Sequence, residues 1–509
     1  MSGELINYYS FAGGRNDFDP AEEIPDNQYT GGSNTRLVGQ KLVTRPGYAA
    51  LNTTTGAYAI TGLFDNYVAG TSYLMAMDTR GYIYKMDYSA GSPDGTFDSI
   101  GTGFDTGATI RWSLTNCVDG SGNLITVLTN NDDEPQQWTG TGSVANLSAS
   151  SIRPTKSKIV NTYGFRAVHD SITDTDGANA FRTRWSNFDD ATTYSTSDFK
   201  DWDNDGSKGV VCSFIHRNVR YVLTSKSIYS MTYTGNTNNN SALLPFTFDE
   251  SICKNKLGIV GPNAWAEVEG IIVLLAPDKR IYAFDGGCYT EIGREIRTLL
   301  DSLEESRLEY VWVRYNSKDK ELYIGCDTGS TSANDTIICG NCEGFGPSNP
   351  LIRWNNPWTI PANCIEIVSL NGNLTPYFGT SASTGLCYRM LNTTADAGSA
   401  ISANVQSKVF SPGGSHLSKD LRALDLSVKG QTGTNNLTYD LYKDGSSTST
   451  TGTISQTSTS DPYSPYPMTS IKDVSNYGKV SVKFTQNTLD SAFEIYKFGL
   501  INQSNDVRY

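Results

Sequence analysis

Short apolar and β-branched runs, each broken by a polar turn, recur along most of the chain. Three of them share one phrase: an apolar run, a polar turn, then Ile or Leu followed by Tyr. It occupies Tyr73–Tyr84, Ile271–Tyr282 and Tyr377–Tyr388, the middle copy without a turn glycine. Each copy predicts two strands pairing across a turn, because β-branched and aromatic side chains suit a pleated surface and Gly supplies the turn backbone. Further runs at Leu124–Leu128, Tyr221–Thr224, Ile228–Tyr233, Tyr310–Arg314 and Glu321–Gly325 extend the pattern. Several hairpins of one type in one chain imply blades. The expectation is an all-β chain, a β-propeller with insertions, of roughly five to seven blades at about 40 to 60 residues each.

Beyond Ala395–Gly398 the texture changes. Ala423–Val428, Leu437–Tyr442, Val480–Phe484 and Phe493–Phe498 alternate strictly between apolar and polar positions, the mark of strands with one buried and one wet face. Lys443–Gly445 is a turn signal, and the Ser/Thr-rich stretch Ser446–Ser464 predicts a long loop. This region is expected to be a β-sandwich of immunoglobulin-like size. The organisation predicted is therefore an N-terminal lead-in segment over 1–50, a propeller over 51–398 and a C-terminal sandwich over 399–509. One helical stripe interrupts the strands, with Ile296, Leu299, Leu300 and Leu303 spaced i, i+3, i+4, i+7 within Arg294–Leu308, and predicts a short surface helix between blades.

Composition sharpens this picture. In 509 residues, 48 Gly, 29 Tyr and only 18% charged residues describe strands joined by many turns. The formal net charge of −13 argues against a protein built to grip nucleic acid, an affinity that comes from Lys and Arg displacing condensed counterions. No run of about 18 apolar residues exists, so no membrane-spanning segment is expected, and no secretion signal is expected behind Met1. Nine cysteines without regular spacing do not form a disulfide framework. Cys339 and Cys342 have CxxC spacing, yet no second such pair supplies the four ligands of a structural zinc site, and reduced loop thiols are expected.

Candidate chemistry is sparse. Asp201, Asp203, Asp205 and Gly206 match the Asp-x-Asp-x-Asp-Gly core of calcium loops, where alternate carboxylates converge on a hard cation. Position twelve is Cys212 rather than the bidentate Glu, so calcium is a candidate at a partial loop and no other cofactor is expected. Adjacent acids at Asp132, Asp133 and Glu134 and at Glu304 and Glu305 resemble solvated charge more than a glycosidase pair. His169, His216 and His416 stand apart with no Gly-x-Ser-x-Gly elbow, and no Gly-rich phosphate loop is present. No catalytic residue is assigned, and the chain is not expected to be an enzyme. Trp185, Trp202, Trp354 and Trp358 lie near Gly, Asn and Asp, as sugar-stacking aromatics do, and raise receptor or glycan binding as an alternative.

The order of several phrases brings a family into view. Phe11–Asn16, Ile24–Gln28, Arg45–Tyr48, Asn131–Trp138, Arg184–Ser186, Gly258–Pro262 and Ile281–Gly286, in that sequence, resemble the propeller proteins of short bacteriophage tails, called tail nozzle, tail tubular or packaged-DNA stabilisation proteins. The resemblance spans most of residues 7 to 400, and the alternating C-terminal strands are similar to a sandwich that follows in some relatives. It implies a structural virion protein assembled in the host cytoplasm. It also implies a ring of identical subunits, commonly six, stacked on portal and adaptor proteins and contacting tail fibre or tip proteins. Such a ring encloses a passage that retains packaged double-stranded DNA and conducts it during ejection. An acidic chain suits that duct, since DNA carrying one charge per about 1.7 Å would stall on a basic wall.

Overall fold

In the computed structural model, residues 4–53, 56–88, 95–147, 153–239, 244–329, 333–370, 372–412, 414, 417–428, 436–455, 466–470, 474–491 and 493–504 are described. Seven four-stranded antiparallel sheets follow one another and form the blades of a propeller. Their innermost strands are Ile60–Val68, Ser113–Val118, Lys156–Tyr163, Cys212–His216, Trp265–Val268, Trp312–Asn316 and Ala362–Leu370, for blades 1 to 7 in order. Blades 1 to 6 each take their four strands from consecutive sequence. Blade 7 takes only three, and its outer strand is Gly47–Ala50 from the N-terminal region, paired Met390 to Tyr48 and Arg389 to Ala49.

The recurring hairpin phrase is the second and third strand of a blade. Thr71–Asp78 pairs with Ile83–Asp87 in blade 1, Ile271–Leu275 with Ile281–Phe284 in blade 5, and Asn373–Thr380 with Cys387–Thr393 in blade 7. These strands read as continuous apolar runs because both faces of a blade are covered by its neighbours. In blade 1, Leu74, Ala76 and Met86 pack with Val368, Tyr377 and Cys387 of blade 7. The intervening Tyr73, Met75 and Met77 pack with Trp112, Leu128 and Trp138 of blade 2. The helical stripe lies between blades 5 and 6 as expected, but only Arg297–Asp301 is α-helical, flanked by 3-10 turns at Arg294–Ile296 and Glu305–Tyr310. Ile296, Leu300 and Leu303 are buried against blades 5 and 6.

The sandwich is built from both ends of the chain, which corrects the separate lead-in segment. One sheet holds Glu4–Tyr9, Thr35–Val38 and Lys41–Thr44 beside Lys419–Val428, Tyr466–Ser470 and Glu494–Ser504. The other holds Gly14–Arg15 and Gln28–Ser33 beside Ala403–Ser407, Asn436–Lys443, Ser449–Ser455 and Val480–Gln486. A single core joins them, with Phe11, Tyr29, Leu37 and Leu42 from the first part of the chain packed among Leu437, Val482, Phe484 and Phe498 from the last. Alternation holds where it was read: Leu437, Tyr439 and Leu441 point inward between wetter neighbours. The Ser/Thr-rich stretch is in part a strand, since Ser449–Ser455 pairs with Asn436–Lys443; residues 456–464 lie outside the described ones.

Sandwich and propeller meet along the outer edge of blade 6 and the closing strand of blade 7. Asn355 Oδ1 accepts from the Leu37 N–H at 2.9 Å, Asn356 donates to Thr35 Oγ1 at 2.9 Å, and the Trp358 indole donates to the Thr35 carbonyl at 2.9 Å. Arg45 is buried at this seam. Its guanidinium makes two bonds to the Asp396 carboxylate, at 2.8 and 2.5 Å, and Nε donates to Asn34 Oδ1 at 2.8 Å. Two residues on, a Cβ at Gly47 would lie 2.0 Å from the Ala395 carbonyl oxygen, so only Gly lets the closing strand approach blade 7.

All nine cysteines are free thiols, and Cys339 sits on a strand of blade 6, Thr336–Asn341, rather than in the expected loop. Burial pushes the Cys342 thiol up to about 12 and holds that of Cys339 well above its ordinary value, so neither is a nucleophile at neutral pH.

Three outcomes test this architecture. Gly47→Ala should cost about 1–3 kcal/mol in denaturant unfolding, whereas Gly31→Ala, with nothing near its Cβ position, should be close to neutral. Arg45→Met, which strands the Asp396 carboxylate, should cost about 3 kcal/mol. A thiol reagent should modify Cys288, the exposed cysteine, rapidly in the native protein, half-buried Cys364 more slowly, and the seven buried cysteines only after unfolding.

Candidate functional site

Seven innermost strands surround an axis, and residues from each of them line it. A cavity of about 490 Å³ occupies the axis, and its wall draws on all seven blades: Phe64, Ser113, Lys158, Ser213, Trp265, Arg314 and Glu366 in blade order. Arg111, Trp112, Asn161, Asn263 and Glu267 complete its polar and aromatic surface. At the axis no neighbouring blade covers the inner edge, so these strand positions carry charge and amide where the blade faces are mostly apolar.

Two cations in the wall lack a carboxylate partner. Lys158 has no hydrogen bond or ion pair among the described residues, and burial lowers its ammonium pKa, an effect that the charge of Glu309 opposes. Arg111 lies over the Tyr310 ring at 4.7 Å and donates to the carbonyls of Ala108 and Ile110 and to Asn363 Oδ1. Burial brings its guanidinium down to about 10, which leaves it charged at neutral pH. The third cation, Arg314, stands 3.8 Å from Glu366, whose carboxyl is raised by burial and held back by that arginine. Glu267 stands 3.5 Å from Nδ1 of His216, a ring that burial keeps below its ordinary pKa.

Beneath the wall runs a buried polar network. Asp170 and Arg220, both fully buried, pair directly. Ser213 donates to Asp170 at 2.6 Å, and the Asn161 side-chain oxygen lies 2.6 Å from the same hydroxyl and accepts from Arg220 at 3.2 Å. The network uses the oxygen of Asn161 and leaves its amide nitrogen without a bond among the described residues. Sequence reading did not single out any cavity residue, because seven single positions on seven strands leave no local spacing to detect.

The residues that were singled out go elsewhere. Asp201 is held by both arms of Arg182, at 2.7 and 2.8 Å; Asp203 pairs with Lys254 at 2.5 Å; Asp205 accepts from Thr224 and from the Ser207 N–H. Three different partners hold the three carboxylates, and no group of three or more His, Cys, Asp or Glu placed for a metal ion exists among the described residues. Trp185, Trp202, Trp354 and Trp358 are all buried, which corrects their reading as exposed sugar-stacking residues: the last three donate their indole N–H to Thr183, Ile292 and Thr35 as packing members of blades. Glu134 pairs with Arg153 at 2.7 Å, Asp133 accepts from Asn130 at 2.7 Å, and Glu304 caps the 3-10 turn that follows it. His169 is wedged between Ser157 and Tyr194 at 2.9 Å each, and burial drives it down to about 3, so it stays neutral. His416 lies outside the described residues.

No family model matches the chain, and no curated protein matches it. Among solved structures it is similar to the BBS1N chain of a complex with ARL6DN, at 9% identity and a TM-score of 0.38, over 69% of this chain and 99% of that one. A putative 6-phosphogluconolactonase from Bacteroides fragilis NCTC 9343 matches at 12% identity and a TM-score of 0.33, over 66% of this chain and 95% of that one. A chain described as a glycoside hydrolase matches at 11% identity and a TM-score of 0.27, over 90% of this chain and 99% of that one. Likeness at this level says nothing of what the chain binds or turns over.

Proposed function

We propose that the chain is a structural subunit of a bacteriophage tail, a nozzle or hub protein that forms a ring below the portal and adaptor, retains packaged DNA and conducts it during ejection. One observation carries the reading. Three of the phrases on which the resemblance rests, Phe11–Asn16, Ile24–Gln28 and Arg45–Tyr48, precede blade 1 in sequence and converge on the sandwich and its seam with the propeller. Phe11 is in the sandwich core, a Cβ on Gly14 would meet the Trp354 carbonyl of blade 6 at 2.9 Å, and Arg45 to Gly47 carry the closure of blade 7. The phrases thus describe one structural device, a propeller held shut by a sandwich made from both chain ends.

Such a body suits a ring subunit because its two units are tied by the hydrogen bonds of the seam and by the chain that runs from the sandwich into the closing strand Gly47–Ala50. The axial cavity of about 490 Å³ has room for a small molecule and none for a duplex, so the passage for DNA has to lie between subunits. A net charge of −13 per chain favours a wall that repels DNA and lets it slide. The proposed role needs no catalysis, and its partners are identical copies, the adaptor and portal above, and fibre or tip proteins at the far end. The particle would be assembled in the host cytoplasm.

Mass photometry and electron microscopy of the purified protein, alone and with portal and adaptor rings, test the proposal. The expected result is a ring of identical chains, six in number, seated on the adaptor. A chain that stays monomeric and does not bind portal and adaptor complexes overturns it, and a basic lumen in the ring overturns the account of sliding.

A further inference from the structure

The axial cavity is a built site that no side chain among the described residues fills. Its volume of about 490 Å³ falls within the range of small-molecule pockets. Two cations face it with no ion pair among the described residues, Lys158 from blade 3 and Arg111 at the start of blade 2, and the charge of Glu309 offsets only part of the cost of burying them. Holding a partly compensated ammonium in partly desolvated surroundings is unfavourable, and an incoming anion relieves that cost while gaining charge-assisted hydrogen bonds. Two carboxamides also face the cavity: the side chain of Asn263 makes no hydrogen bond to the described residues, and Asn161 has its oxygen committed to Ser213 and Arg220 while its nitrogen is unspent. Trp265, half-buried on blade 5 and braced by Phe214 at a ring distance of 4.7 Å, offers an aromatic face.

We propose that this cavity binds a small polyhydroxylated organic anion, of the size of a monosaccharide bearing a carboxylate or a phosphate, with Lys158 and Arg111 taking the charged group, Asn161 and Asn263 the hydroxyls, and Trp265 the apolar face of the ring. Neither wall carboxylate is paired with Lys158 or Arg111: Glu366 stands beside Arg314, and Glu267 beside His216. The inference does not rest on the virion reading, since it concerns one propeller axis and holds for a monomer or a ring.

Calorimetric titration of the full-length protein with glucuronate, glucose 6-phosphate and glucose tests it. At least one of the two anions should bind at one site per chain, and glucose should bind at least about tenfold more weakly or not at all. Binding by glucuronate alone assigns a carboxylate ligand, by glucose 6-phosphate alone a phosphate ligand, and by both an anion site of either kind. Lys158→Gln should weaken binding by about tenfold or more while leaving the melting temperature near that of the parent, because Lys158 has no partner to lose. Arg111→Gln should weaken it similarly and serves where the first variant fails to fold. The proposal is overturned by silence with both anions, by glucose binding as tightly as they do, or by a folded variant of either residue that binds as the parent does.

Discussion

Closure of the circle is the constraint on which the rest of this molecule depends. A ring of blades has a seam, and here the seam is made by four residues, Gly47–Ala50, that reach blade 7 from the opposite end of the chain. A strand so short carries little pairing energy, and it is held from both sides. Arg45 anchors it to Asp396, which follows the third strand of blade 7, and Gly47 removes the Cβ that would strike Ala395. Asn34, which accepts from Arg45, also accepts from Thr359 N–H beyond blade 6, so the same cluster ties closing strand, sandwich and two blades. A buried arginine with a bidentate carboxylate and a third acceptor is costly to desolvate and costlier to leave half-paired. Its value here is geometric, because it fixes where the closing strand lies.

Strands from both chain ends make the sandwich a second closure. Residues 4–44 cannot leave without exposing Phe11, Tyr29, Leu37 and Leu42 and opening a core shared with Leu437, Phe484 and Phe498. Unzipping the seam therefore requires opening both units, and the chain ends reinforce the propeller instead of fraying from it. This coupling makes the Arg45 and Gly47 substitutions read out on the whole molecule.

Sequence made much of this legible, for reasons that differ by region. The hairpin phrases gave the blades because turn chemistry and apolar runs are local signals. The sandwich strands showed alternation because one of their faces is wet. What escaped was non-local. That residues 4–44 belong to a sheet with residues 403–504 cannot be read from spacing, and their short runs looked like a lead-in. Trp185 and its fellows sit beside Gly and Asn in sequence, which looked like loops, but those neighbours are the turn and seam residues of blades with the indoles inside. The Asp201–Asp205 spacing matched a calcium loop, yet Arg182, Lys254 and Thr224 reach it from elsewhere in the chain and hold the carboxylates one by one. The axial cavity was invisible for the same reason, one residue from each of seven strands.

The phrases that carried the family resemblance turn out to be structural residues. Trp185 packs a blade face, the carboxylate of Asp285 accepts from the N–H groups of Gly287 and Cys288 in a turn, and Gly258 and Gly261 allow close approach to the Ser225 and Glu309 backbones. Such residues report how a chain is built and leave the chemistry of the interior open. In this propeller the chemistry is concentrated on the axis. There the blades no longer cover one another, and a lysine with no hydrogen bond or ion pair among the described residues, two carboxamides and an indole line one cavity.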